Sequence, residues 1–94
     1  MQKMFQESLE KIQEDLRVTV VEGSSGGGAV TVQMNGKQEI ISVKIDSAVV
    51  NPEAVGELEE LVTAAFRDAM AKSQATAAEK MSAFAGGLNI PGLF

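Results

Sequence analysis

The sequence predicts an α+β fold: a helix, a three-stranded antiparallel meander, then a long helix. Three observations carry this reading. Between Val20 and Ile45 apolar and polar residues alternate with period two, as half-buried strands require. Asn35-Gly36 lies between two such runs and suits a two-residue type I′ hairpin turn, whose central residues take positive φ. The flanking segments repeat apolar residues at spacings of three and four, the period of an α-helix.

Taken in order, residues 2–17 form an amphipathic helix with Phe5, Leu9, Ile12 and Leu16 in one stripe. Glu7 and Lys11 make an i, i+4 pair away from it. The β-branched run Val18-Thr19-Val20-Val21 ends the helix and opens a first strand around Thr19 to Glu22. Gly23-Ser24-Ser25-Gly26-Gly27-Gly28 is expected as a flexible hairpin loop. A phosphate cradle would need a Gly-Lys-Ser/Thr ending or a helix directly after it, whereas the strand Ala29-Val30-Thr31-Val32 follows. In the second strand Val30, Val32 and Met34 alternate with Thr31 and Gln33. In the third, Ile41, Val43 and Ile45 alternate with Ser42 and Lys44. Asp46 to Val50 reads as a turn or one irregular helical turn. Asn51-Pro52 then suits a helix start, with Asn as N-cap and Pro at the first position. Glu53 and Glu57 favour the positive pole of that helix. Only Gly56, at ~1 kcal/mol relative to Ala, interrupts the pattern before Gly86-Gly87. Val55, Leu58, Val62, Ala65 and Ala69, widened by Leu61 and Phe66, form the core-facing stripe. From Ala71 to Ala83 large apolar groups are scarce.

Length turns this pattern into an argument about assembly. A helix from Pro52 to Phe84 would be about 50 Å long at ~1.5 Å per residue. A compact chain of 94 residues has a radius of gyration near ~12 Å. The helix must therefore be broken, be covered by a second copy or project into solvent, and three strands leave two open edges. A symmetric homodimer answers both conditions. Its expected interface is Val30, Val32, Met34, Ile41 and Val43 of the sheet with Leu58, Val62 and Phe66 of the helix. Residues 1–87 form a single domain. Residues 88–94, with Leu88, Ile90, Leu93 and Phe94, form an apolar tail expected to be flexible or docked in a groove.

Composition narrows the function. The absence of Cys removes disulfides and thiolate metal sites and favours an intracellular protein. The absence of His removes the commonest general base and metal ligand. Four Phe with no Tyr or Trp make a poor base-stacking platform. Charges interrupt any secretory apolar run, and none approaches a membrane span, so a cytoplasmic protein is expected. The net charge is −5, and the acidic excess lies in residues 46–60, in Asp46, Glu53, Glu57, Glu59 and Glu60. Of these, Glu53, Glu57 and Glu60 follow helical spacing on an exposed face, without a nucleophile partner or a metal ligand set. Catalysis, a metal, a cofactor and a small-molecule substrate are not expected.

Several segments in combination resemble the YbaB/EbfC nucleoid-associated DNA-binding proteins of bacteria. They are Val21-Glu22-Gly23-Ser24-Ser25-Gly26-Gly27-Gly28, Val32-Gln33-Met34-Asn35-Gly36-Lys37 and Val43-Lys44-Ile45-Asp46. Leu58-Glu59-Glu60-Leu61-Val62-Thr63-Ala64-Ala65-Phe66, Asp68-Ala69, Glu79-Lys80-Met81, Gly86-Gly87-Leu88 and Pro91-Gly92-Leu93-Phe94 continue the likeness. Together they cover about Val20 to Phe94. The resemblance implies an intertwined homodimer with helices projecting like the jaws of tweezers. It also implies double-stranded DNA binding in the nucleoid, with a role in nucleoid organisation or gene regulation. Two departures stand out. Asp46-Ser47 replaces the family's usual Asp-Pro, and the first helix starts close to the core, which leads to an expectation of weaker DNA binding.

An acidic dimer must present its cations locally. Lys3, Lys11 and Arg17 on the first helix, with Lys72 and Lys80 on the second, lie away from the acidic segment. Ser73, Gln74 and Thr76 add phosphate hydrogen-bonding capacity. These eight residues are the expected DNA-contacting set, with modest affinity and little base-specific readout. The rival reading is a protein–protein adaptor docking on replication or recombination-repair proteins through Glu53–Glu60 or the tail.

Overall fold

The computed structural model describes the backbone of residues 2–88 and the side chains of residues 6–84. Helix α1 (Gln2–Val18) leads into strands β1 (Val20–Ser25), β2 (Val30–Asn35) and β3 (Ile40–Ile45). A 3-10 turn (Ser47–Val49) and helix α2 (Val55–Leu88) follow. The strands form one antiparallel sheet in the order β1-β2-β3, so the α+β meander expected from the sequence is present. Of the expected apolar tail only Leu88, the last residue of α2, lies within the described residues.

The glycines account for much of the local geometry, and two of them act differently from expectation. β1 extends through Ser25, so the loop shrinks to Gly26-Gly27-Gly28-Ala29, with φ of 60°, 69° and 96° at its glycines. Gly23 lies within β1 and lets the strand touch α2. A Cβ there would sit 2.2 Å from the Ala69 nitrogen and 2.5 Å from the Ala65 oxygen. The β2–β3 turn is not a type I′ Asn-Gly turn. It is a three-residue loop in which Gln38, at φ 61°, is the left-handed residue. Gly36 is needed for proximity instead, because a Cβ would lie 2.9 Å from Leu16 Cδ2. Its N–H donates to the carbonyls of Leu16 (2.8 Å) and Thr19 (3.0 Å).

The boundaries of the long helix also move. Asn51 Oδ1 accepts from the Glu53 N–H at 3.0 Å and its carbonyl from the Ala54 N–H at 2.9 Å. That closes a separate turn, and α2 begins at Val55. At the far end the helix runs through Gly86-Gly87 to Leu88. Glycine lowers helix propensity by about 1 kcal/mol but does not forbid the conformation.

The core forms where α2 crosses β1 and β2. Val30, Val32, Met34, Ala65 and Ala69 are fully buried, with Val21, Leu58, Leu61, Val62 and Phe66 packed around them. β3 extends the same sheet face past the helix. Val43 stands opposite Val32 and Ile45 opposite Val30, yet Val43 is 42 % and Ile45 43 % exposed. Between Gln33 and Met34 the register slips by a bulge at Ile41, which is 50 % exposed, as is neighbouring Ile40 at 56 %. The opposite sheet face is polar there, with the Ser42 hydroxyl donating to Gln33 Oε1 at 2.9 Å. Within the single chain the residues of the expected interface set fall into two groups. Val30, Val32 and Met34 are sealed under the chain's own helix, and Leu58, Val62 and Phe66 pack against that core. Ile41 and Val43 stay open.

Candidate nucleic-acid interface

Beyond the sheet, α2 continues beside α1 as an arm. The chain measures 61 × 21 × 16 Å, and its radius of gyration of 17.9 Å far exceeds the value of ~12 Å for a compact chain of this length. Apolar packing is thin along the arm. Leu16 is buried at its root, while Leu9 and Ile12 are half-buried. Among the described residues no helix is long and apolar enough to cross a membrane.

Polar contacts fix the root of the arm. Asn35, 4 % exposed, is the centre of the network. Its Oδ1 accepts from the N–H groups of Lys37 (2.9 Å) and Glu39 (3.0 Å). Its Nδ2 donates to the Arg17 carbonyl (3.1 Å) and to Glu39 Oε1 (2.7 Å). The Ser73 hydroxyl donates to the Asn35 carbonyl at 2.7 Å and accepts from Gln38 Nε2 at 3.1 Å. One turn thus joins the end of α1, the β2–β3 hairpin and the middle of α2.

The expected DNA-contacting residues divide three ways. Ser73 is fully buried and committed to Asn35, so it is withdrawn from the set. Lys11, Arg17, Lys72 and Gln74 are exposed and Thr76 and Lys80 half-buried, while the side chain of Lys3 lies outside those described. Three of the cations already hold carboxylates. Arg17 Nε donates to Glu14 Oε2 at 2.9 Å, with a second bond from its NH2 group to Oε1. That pairing raises the Arg17 pKa and lowers that of Glu14. Lys80 Nζ meets Asp15 Oδ2 at 2.8 Å and ties α2 to α1. Lys72 Nζ lies 3.2 Å from Asp68 and donates to the Glu22 carbonyl at 2.9 Å.

The Lys72 contacts belong to a seal along β1. Asp68 Oδ2 also accepts from the Ser24 N–H at 3.0 Å, and the Ser25 hydroxyl donates to the Leu61 carbonyl. The Ser24 N–H, then Lys72, holds the Asp68 carboxyl below its ordinary pKa. One sheet edge is thereby closed by α2 while β3 remains open. Among the described residues Lys11, Lys37, Lys44 and Arg67 make no ion pair. Arg67 lines an open groove of about 450 Å³ with Gly56, Glu59, Glu60, Thr63 and Ala64, where two carboxylates disfavour a phosphodiester.

A profile of the YbaB/EbfC DNA-binding family matches residues 1–88. The chain belongs to that family. It is 50 % identical over 91 residues to a nucleoid-associated protein of Syntrophobacter fumaroxidans, covering 97 % of this chain and 83 % of that one. Identity is 52 % over 93 residues to a nucleoid-associated protein of Dictyoglomus thermophilum, covering 98 % and 89 %. A Chloroflexus aurantiacus protein of the same description is 45 % identical over 94 residues, covering 100 % and 92 %. The crystal structure of an uncharacterized Helicobacter pylori protein shares the fold with TM-score 0.68. It is 23 % identical and covers 87 % of this chain and 93 % of its own. The family membership rests on the sequence matches, and the Helicobacter pylori structure shows the shared fold.

Proposed function

We propose that the chain is a homodimeric, nucleoid-associated protein that grips double-stranded DNA with paired arms and reads little base sequence. The observation carrying this reading is the arm itself. It is a two-helix projection with little apolar core of its own, carrying Lys11, Arg17 and Lys80, with Lys72 beside β1 at its base, on a chain of a DNA-binding family. The description of its relatives as nucleoid-associated supports a place in the nucleoid and a role in its organisation or in gene regulation. Dimerisation is supported by the uncovered apolar residues Ile40, Ile41, Val43 and Ile45 on the open edge, since such an edge invites pairing with another chain. A second copy also explains why an arm that buries so little by itself is retained.

Anisotropy titrations of labelled duplex DNA across salt concentrations test this. Binding should weaken with salt at a slope of about −0.9 per phosphate neutralised, and vary little between duplex sequences. A Lys11→Gln/Lys80→Gln variant should lose affinity and slope together. Absence of binding at low salt would refute the DNA reading. It would favour the adaptor alternative, which the carboxylate pairing of Arg17, Lys72 and Lys80 supports. Light scattering that gave a 9.9 kDa monomer would refute the dimer.

A further inference from the structure

We infer that Lys37, carried on the β2–β3 turn at the root of the arm, is a phosphate-contacting residue working beside Arg17. This rests on the DNA-binding reading above and extends the contact surface from the helices onto the sheet. Lys37 is exposed and makes no ion pair or side-chain hydrogen bond among the described residues. Its backbone is held unusually firmly for a hairpin tip. The Lys37 N–H donates to buried Asn35, whose amide reaches the Arg17 carbonyl. Gly36 before it is bonded to Leu16 and Thr19 of the α1 end. Gln38 after it bridges to Ser73 on α2.

The left-handed Gln38 strengthens the point. A non-glycine residue at φ 61° is strained by roughly 1 kcal/mol, and glycine would remove the strain. Gln38 instead spends its side-chain amide on the Ser73 hydroxyl (3.1 Å) and the Gly36 carbonyl (3.2 Å), bracing the turn against α2. A cation on such a support loses only side-chain freedom on binding, so more of its attraction to phosphate survives as affinity. The Glu14 carboxyl on α1 is held below its ordinary pKa chiefly by its hydrogen bond from Arg17, with a smaller contribution from the charge of Lys37. Arg17 and Lys37 thus share the junction of arm and sheet with the carboxylates of Glu14, which Arg17 holds, and Glu39, which is bound to Asn35. A duplex lying along the arm would meet the two cations with its backbone.

The test compares Lys37→Gln with Lys44→Gln, an exposed cation on β3 distant from the turn, in anisotropy titrations of labelled duplex at about 50 to 200 mM salt. Lys37→Gln should weaken binding about five- to tenfold near ~0.1 M salt and reduce the slope by about 0.9 per copy in contact. Lys44→Gln should change affinity less than about twofold, and both variants should melt with the parent protein. Salt-dependent binding by the parent with equal small effects of the two variants would overturn the Lys37 assignment and leave the arm reading intact. A parent that binds no DNA would overturn both.

Discussion

Replacing Gly23 by alanine tests the central packing of the fold. The added Cβ would lie 2.2 Å from the Ala69 nitrogen, 2.5 Å from the Ala65 oxygen and 2.6 Å from Ala69 Cα. All three are main-chain atoms, so no rotamer change relieves the clash. β1 and α2 must separate by roughly 1.3–1.8 Å to restore contact distances of ~3.5–4 Å at the 2.2 Å approach. That gap opens beside the buried Val30, Val32, Met34, Ala65 and Ala69. Overpacking a core costs typically 1–3 kcal/mol, and the rigid backbone contact puts this case at about 3 kcal/mol or above. For a domain of this size that lowers the melting midpoint by roughly 12–24 °C. The assay is thermal and urea unfolding followed by circular dichroism at one fixed protein concentration, because association shifts the midpoint. Two other glycines calibrate the result. Gly27→Ala meets nothing within 4 Å but keeps φ at 69°, and should cost about 1–2 kcal/mol. Gly56→Ala meets nothing in a helix and should stabilise by at most about 1 kcal/mol. A Gly23→Ala protein within about 1 kcal/mol of the parent would refute the seating of α2 on β1.

Other outcomes follow from the same contacts. Asn35→Ala leaves the Lys37 and Glu39 N–H groups and the Arg17 carbonyl without their partner, and should destabilise by about 2–3 kcal/mol in urea unfolding. The folded pKa of Asp68 lies below its unfolded value of ~3.9, so its contribution is present above that pH and lost as pH falls through the folded pKa. Asp68→Asn should therefore flatten the acid limb of a stability–pH curve, and an unchanged limb would assign it elsewhere. Ile41→Lys/Val43→Lys charges the open edge, and should shift the mass found by light scattering toward the monomer without lowering helix content.

The element order was legible because each periodicity was strong. The alternation of Val30, Val32 and Met34 and the stripe from Leu58 to Ala69 both became core. The glycines were harder to read, because sequence alone cannot separate glycine for positive φ from glycine for proximity. Gly26, Gly27 and Gly28 are the first kind, while Gly23 and Gly36 are the second. Asn51 misled for a related reason, since an Asn side chain caps a turn by the same bond with which it caps a helix. Ser73 looked like one more polar residue on an exposed helix. Its burial depends on Asn35, 38 positions away, and no local pattern carries that. Lys37 was hidden because a lysine in a hairpin turn is ordinarily a solvated charge.

The same contacts bear on how a chain of net charge −5 can suit a DNA-binding family. The exposed pairs Arg17–Glu14 and Lys72–Asp68 and the partly covered Lys80–Asp15 pair add little to folding, because water and salt screen exposed ion pairs. Their weakness makes each cation exchangeable. A duplex offers a row of phosphates one charge per ~1.7 Å, and moving a lysine from carboxylate to phosphate releases a DNA counterion while the carboxylate regains water. The exchange has a cost that Lys37 does not bear, since Lys37 holds no carboxylate to give up. The unpaired Lys37 and the paired Arg17 and Lys80 would then act in sequence. On the proposed reading Lys37 would draw the duplex to the sheet end, and Arg17 and Lys80 would trade partners only once the backbone lay alongside. Affinity assembled this way would be modest and strongly salt-dependent.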